Sequence, residues 1–144
     1  TELEHWVSEP VFNRTAPRLA AATSAEVRGS GHKWQRAQTS VLECRPLLDG
    51  WELLLQPRTG RTHQLRVQLA ASGAPIAFDG WYEPLAGFLW QSGSDDAEAE
   101  RLVTACQDLP PCEAIGLQAC ELQFGDIAVK APPPWWRSDA DMPR

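Results

Sequence analysis

The pattern of apolar and polar positions sharpens at Thr39. TSVLEC (Thr39–Cys44) and WELLLQPR (Trp51–Arg58) are strand-like runs joined by the turn signal Leu48-Asp49-Gly50, which predicts an antiparallel hairpin. Pro57 places the end of the second run at an edge or bulge, because proline has no N–H for a ladder. Thr62 then sits where a helix N-cap belongs and Gly73 where a C-prime glycine belongs, with Leu65 and Leu69 as the buried stripe between them. His63 and Arg66, three residues apart, share a neighbouring face of that helix. PIAFD (Pro75–Asp79) reads as a short strand.

Further along, Asp95 with Glu98 resembles a capping box, and a helix is expected from about Asp96 to Gln107, closed by Pro110 and Pro111. AIGLQACELQF and IAVKA, separated by Gly125-Asp126, predict a second hairpin. The opening 36 residues are weakly patterned, and only Arg18–Val27 offers a poor helical stretch. The closing APPPWW is stiff and proline-rich, and the last ten residues are expected to fray as a flexible tail. No internal repeat is present. Two hairpins and two helices predict an α+β fold, a mixed and mainly antiparallel sheet with flanking helices, in one domain with a helical insertion over 87–111.

Composition narrows the function classes. With 144 residues, 43% apolar and 22% charged, this is an ordinary globular chain, and no apolar run approaches the length of a membrane span. The net charge of -6 argues against a broad, non-specific nucleic-acid binder. The signs are segregated, however. Arg28, His32, Lys33, Arg36, Arg58, Arg61 and Arg66 lie early, whereas Asp95, Asp96, Glu98, Glu100, Asp108 and Glu113 lie late, which leaves room for a local basic face. Cys44, Cys106, Cys112 and Cys120 lack zinc-knuckle spacing and read as small buried hydrophobes in a reducing cytoplasm. The only methionine is Met142, so Thr1 is expected to follow processing or to open a piece of a larger protein.

The candidate chemistry lies between Arg58 and Tyr82. A guanidinium stays charged at any working pH and grips a carboxylate or phosphate through two parallel hydrogen bonds. Arg66 stands on the first turn of the expected helix, where its backbone is fixed and its head can be aimed. Arg61, Thr62, His63 and Gln64 cluster beside it.

These residues resemble a known family. TGRTHQLR (Thr59–Arg66), followed by Gly73, Pro75-Ile76, Asp79 and Tyr82, is similar to the third signature motif of RluA-type pseudouridine synthases. Ala37-x-Thr39 resembles the family's A-x-T opening, and Leu117-x-Ala119 with ELQF and APPP its closing segment, so the likeness covers about residues 37 to 134. The resemblance implies isomerisation of uridine to pseudouridine in ribosomal or transfer RNA, without cofactor or metal. It implies that Arg66 pairs with and orients a catalytic aspartate, that Arg61, Thr62, His63 and Gln64 line the substrate site, and that Leu65 helps to floor the uridine pocket.

The departures are specific. The family's R-L-D-x-x-T-S-G motif, which carries the aspartate, has no counterpart here, nor has the pocket tyrosine between the two motifs. Among the eight aspartates, Asp49 is expected at a hairpin tip and Asp79 aligns with a structural G-D aspartate, here preceded by Phe78. Gln68, Ala74 and Gln118 replace family histidines, and Glu83 a glycine.

Other signals yield to simpler readings. Gly29-Ser30-Gly31-His32 is a flexible loop without a nucleophile elbow. His5, His32 and His63 are too scattered for a metal site. Most of the seven tryptophans read as packing, with Trp34 and Trp81 the candidates for base stacking. Three readings follow: the C-terminal, arginine-bearing half of a synthase whose N-terminal half carries the aspartate; a paralogue that only binds RNA or a partner; and an unrelated enzyme holding a small anion on Arg61, His63 and Arg66. None specifies which RNA, or an oligomeric state.

Overall fold

The computed structural model describes residues 1–8, 19–21, 33–87, 115–134 and 136–137. Strand β1 (Glu2–Ser8), β2 (Leu19–Ala21), β3 (Trp34–Leu47) and β4 (Gly50–Pro57) form an antiparallel sheet in the order β2-β1-β3-β4. Helix α1 (Gln64–Ala71) follows, then a 3-10 turn at Glu83–Leu85. Strands β5 (Glu121–Phe124) and β6 (Ile127–Lys130) make a separate two-stranded sheet. The α+β class and both hairpins are present as expected.

The first hairpin closes with Leu47 opposite Gly50, so the loop itself is Leu48-Asp49. The register shifts between Val41 and Glu43, an irregularity of the kind that bends one strand against its partner. Pro57 ends β4, an edge strand of the sheet, where its missing N–H costs no ladder bond.

The opening segment corrects the expectation of weak structure and a poor helix. ELEHWVS alternates, sending Leu3, His5 and Val7 to one face and Glu2, Glu4 and Trp6 to the other, and this period of two builds β1. Pairing with β1 extends β3 back to Trp34, five residues before the sequence signal begins. Within Arg18–Val27, Leu19–Ala21 is strand rather than helix. The expected strand at Pro75–Asp79 is absent. Asp79 N–H instead reaches Ile76 O at 3.1 Å, closing a turn in which Phe78 takes a left-handed φ of 65°.

The core lies between one face of the sheet and α1. Val7 and Ala37 from the sheet meet Val67 and Ala70 from α1 and Tyr82 beyond it, with Trp81 packed alongside. Helix α1 ends in a Schellman motif, where Gly73 N–H reaches Ala70 O at 2.9 Å and Ala74 N–H reaches Leu69 O at 3.0 Å. Gly73 adopts φ 79°, the conformation that explains a glycine here.

The second hairpin is solvated on both faces, and Gly116 N–H ties its approach to Ala77 O at 2.7 Å. The tail is not wholly free. Trp136 Nε1 and the Arg137 guanidinium both donate to Glu52 on β4. Cys44 and Cys120 are exposed, not buried as expected. Cys106, Cys112, the Asp96–Gln107 helix and nearly all of the 87–111 insertion lie outside the described residues.

Candidate functional site

The site begins in the loop from β4 to α1, and one glutamine organises it. Gln64 is buried, and its Oε1 accepts from Thr59 Oγ1 at 2.7 Å and from Arg61 N–H at 3.0 Å. Its Nε2 donates to Gln38 O and Thr39 Oγ1, both at 2.9 Å. Every polar atom of this side chain is thereby satisfied, which removes the penalty of burying an amide and pins the loop to β3. Thr39 in turn donates to Gln68 Oε1 at 2.7 Å, and Gln68 Nε2 donates to Leu3 O at 3.1 Å. Two helix residues one turn apart therefore face the sheet as a buried polar seam.

This seam changes how the helix starts. Thr62 was expected as N-cap, but it is exposed, and the N-cap is His63 in a left-handed conformation with φ 50°. The Gln64 side chain reaches back to Arg61 N–H, while Gln64 N–H itself donates to Arg61 O at 3.0 Å. A threonine cap is therefore not needed. Left-handed backbone at a non-glycine costs about 1–3 kcal/mol and persists only where its surroundings impose it. Here the imidazole is held from outside: His63 Nδ1 and the Tyr82 hydroxyl share a hydrogen bond of 2.7 Å.

Arg66 lies one turn further on, and its carboxylate partner is in this chain. Nε donates to Asp79 Oδ2 at 2.8 Å and Nη2 to Asp79 Oδ1 at 2.7 Å, the two-pronged grip expected of a guanidinium. Asp79 is 1% exposed and the Arg66 side chain 19% exposed. The guanidinium carbon also sits 4.8 Å from the Tyr82 ring centroid and 5.2 Å from that of Trp81. Aromatic faces attract cations at these distances, and more strongly where water is thin. Removing one member of a buried ion pair costs about 3–5 kcal/mol, because the other charge is left uncompensated.

The electrostatics follow from burial. The His63 pKa is lowered, first by burial and then by the Arg66 charge, against an opposing pull from Asp79, so the ring is neutral at neutral pH. Tyr82 is fully buried and its phenol is pushed upward, chiefly by that burial. It stays protonated. The cluster thus sets one ion pair, whose anion is the more deeply buried member, against the neutral rings of His63, Tyr82 and Trp81.

The residues singled out in the sequence separate into distinct roles. Arg66 and His63 converge on Tyr82. Arg61 is half-buried and turns toward the sheet, donating from Nε to Arg36 O at 2.9 Å. Gln64 is a loop anchor, and Leu65 is half-buried rather than part of the deepest stripe, which comprises Gln64, Val67, Gln68, Leu69 and Ala70. The expected basic face is partly spent within the fold, since Arg36 pairs with Glu4 at 2.8 Å and Arg58 donates to Ser40 Oγ at 2.9 Å. Sequence reasoning passed over Asp79 as the partner of Arg66. The available signal was the D-x-x-Y spacing, which a turn closed by Tyr82 N–H on Asp79 O at 3.0 Å uses to bring Asp79 and Tyr82 to the same guanidinium. Among the described residues, no group of three or more histidines, cysteines or acids converges as a metal site, and no helix is long and apolar enough to cross a membrane.

Comparison with known proteins places this constellation in a class. The chain is 32% identical to RNA pseudouridine synthase 6, chloroplastic, of Arabidopsis thaliana, over 85% of its own length. It is 30% identical to the protein of the same name from Oryza sativa subsp. japonica, over 87%. The matched stretch is 33% of each relative, so the chain spans about a third of their length. No family model and no solved structure matches it. The chain belongs to the RluA-type pseudouridine synthase family.

Proposed function

We propose that this chain supplies the arginine-bearing half of the active site of an RNA pseudouridine synthase acting on ribosomal or transfer RNA. In that reaction the N1–C1′ bond of uridine breaks and a C5–C1′ bond forms, while C5 gives up its proton and N1 gains one. Charge therefore shifts between base, ribose and an enzymic carboxylate, and the electrostatic aim of that carboxylate governs the barrier. Arg66 is the group suited to aim it: a permanent cation, fixed on one edge by Asp79 and flanked by two aromatic rings. That fixed guanidinium is the observation that carries the reading. The catalytic aspartate comes from a segment outside these residues, so the chain alone does not turn over. RNA is the partner, Arg61, Thr62, His63 and Leu65 form the substrate side of the cleft on the loop that buried Gln64 anchors, no cofactor is required, and the cytoplasm is the proposed compartment.

The test uses RNA carrying tritium at uridine C5, because every isomerisation releases that hydrogen to water. The complete protein is expected to release it, and this chain by itself is not. Release by this chain alone would overturn the division of the site. The missing R-L-D-x-x-T-S-G motif supports a second reading, a paralogue that binds RNA without catalysis. Absence of release by a folded, RNA-binding complete protein would establish it.

A further inference from the structure

Arg66 cannot aim a carboxylate unless its own head is held, and the structure holds it from three sides. A guanidinium on a flexible stem can rotate about its terminal bonds, and each free rotation blurs the direction of its N–H groups. Asp79 removes that freedom by accepting from Nε and Nη2 together, which fixes the plane. Tyr82 and Trp81 lie 4.8 Å and 5.2 Å from the guanidinium carbon and restrict its tilt. Asp79 is itself fixed. Its N–H closes the turn onto Ile76 O at 3.1 Å, and its carbonyl accepts from Tyr82 N–H at 3.0 Å and Glu83 N–H at 2.9 Å. Placing an anion at 1% exposure is costly, and a stability role alone is as well served by an apolar pair of similar volume. What the ion pair adds is direction.

We infer that Asp79 is a positioning residue for the isomerisation: its buried carboxylate fixes the plane in which Arg66 presents its guanidinium to the catalytic aspartate. This rests on the proposed role of Arg66. Asp79 touches neither uridine nor the reacting atoms, and it acts through Arg66 alone. Misplacing a reacting or orienting group by about 1 Å costs on the order of 100-fold in rate. Substrate affinity, which draws on other contacts, is not affected.

The test is a double-mutant cycle on the complete synthase, measuring tritium release and RNA affinity separately. Asp79→Asn keeps the size of the side chain but loses the charge and one of the two acceptors. It is expected to lower kcat by about 10- to 100-fold with KM within about twofold. In an Arg66→Lys background the same change is expected to lower kcat by less than about twofold, because a lysine has no plane to fix. Because Asp79→Asn leaves Arg66 without its counter-charge, folding is checked by thermal unfolding, and the cycle is repeated with Asp79→Glu, which keeps the charge and displaces it by one methylene. Equal loss of kcat in both backgrounds, or Asp79 variants with wild-type kcat, would overturn the inference. Those outcomes differ from failure of the Arg66 role itself, which shows as normal turnover in Arg66→Ala.

Discussion

Gln68→Leu tests whether the polar seam beneath α1 holds the site in place. Gln68 is completely buried; its Oε1 accepts from Thr39 at 2.7 Å, and its Nε2 donates to Leu3 O at 3.1 Å and Ala37 O at 3.3 Å. Leucine fills nearly the same volume, so the cavity contribution is small. The Thr39 hydroxyl, however, keeps its proton with nowhere to donate it, and two carbonyls lose a donor. An unsatisfied buried donor costs about 1–3 kcal/mol, and the weaker carbonyl contacts bring the expected loss to about 2–4 kcal/mol. Urea unfolding followed by tryptophan fluorescence measures it. Adding Thr39→Val removes the orphaned hydroxyl, so the double variant should be more stable than the sum of the single losses by about 1 kcal/mol or more. A Gln68→Leu loss below about 0.5 kcal/mol, or strict additivity, would show that the seam is an incidental contact.

Other perturbations follow from single residues. Phe78 holds φ 65° while 64% exposed, so Phe78→Gly should raise stability by about 1 kcal/mol in the same urea titration. Gly73→Ala should lower it by about 1 kcal/mol through backbone strain alone, since nothing lies within 4 Å of an added Cβ. Glu52 is held down to about 2 from 4.5, first by Arg137 and also by Trp136 and Arg45. Its stabilising effect is complete above pH 4.5 and is lost as pH falls toward about 2, so acid unfolding of Glu52→Gln should be flatter over that window. His63 has a folded pKa below its ordinary 6.5, so its contribution is full above pH 6.5 and declines as pH falls below it. Replacement by Gln should flatten that part of the profile.

Legibility in the sequence depended on how local the cause was. The β3–β4 hairpin announced itself because its runs and its turn are contiguous, and Gly73 because a left-handed C-prime position selects glycine. Strand β1 did not, since pairing with β3, far along the chain from Ser8↔Trp34 to Glu2↔Ser40, sustains it. The expected Thr62 cap failed for a tertiary reason: Gln64, drawn to β3 by Thr39 and Gln38, also accepts from the Arg61 N–H. Some departures from the family pattern turned out to have structural work. Gln68 joins the seam and Gln118 Nε2 donates to Pro132 O at 2.8 Å, whereas Ala74 contributes only its main-chain N–H, which does not explain the change at that position. The sequence pointed Arg66 at an aspartate outside this chain, whereas the carboxylate it grips here is Asp79. That partner was not legible, because it takes the turn closed by Asp79 N–H on Ile76 O, with Phe78 left-handed, to bring that carboxylate back to α1.

The most direct measurement is turnover against RNA affinity for Arg66→Ala in the complete synthase. Tritium release should fall by more than about 100-fold while the RNA dissociation constant changes by less than about threefold, because in its proposed role the arginine orients a carboxylate and is not the main anchor of the RNA. Normal release from a folded Arg66→Ala protein would contradict the clamp. A parallel loss of RNA binding would mean that Arg66 holds phosphate, and not the catalytic aspartate.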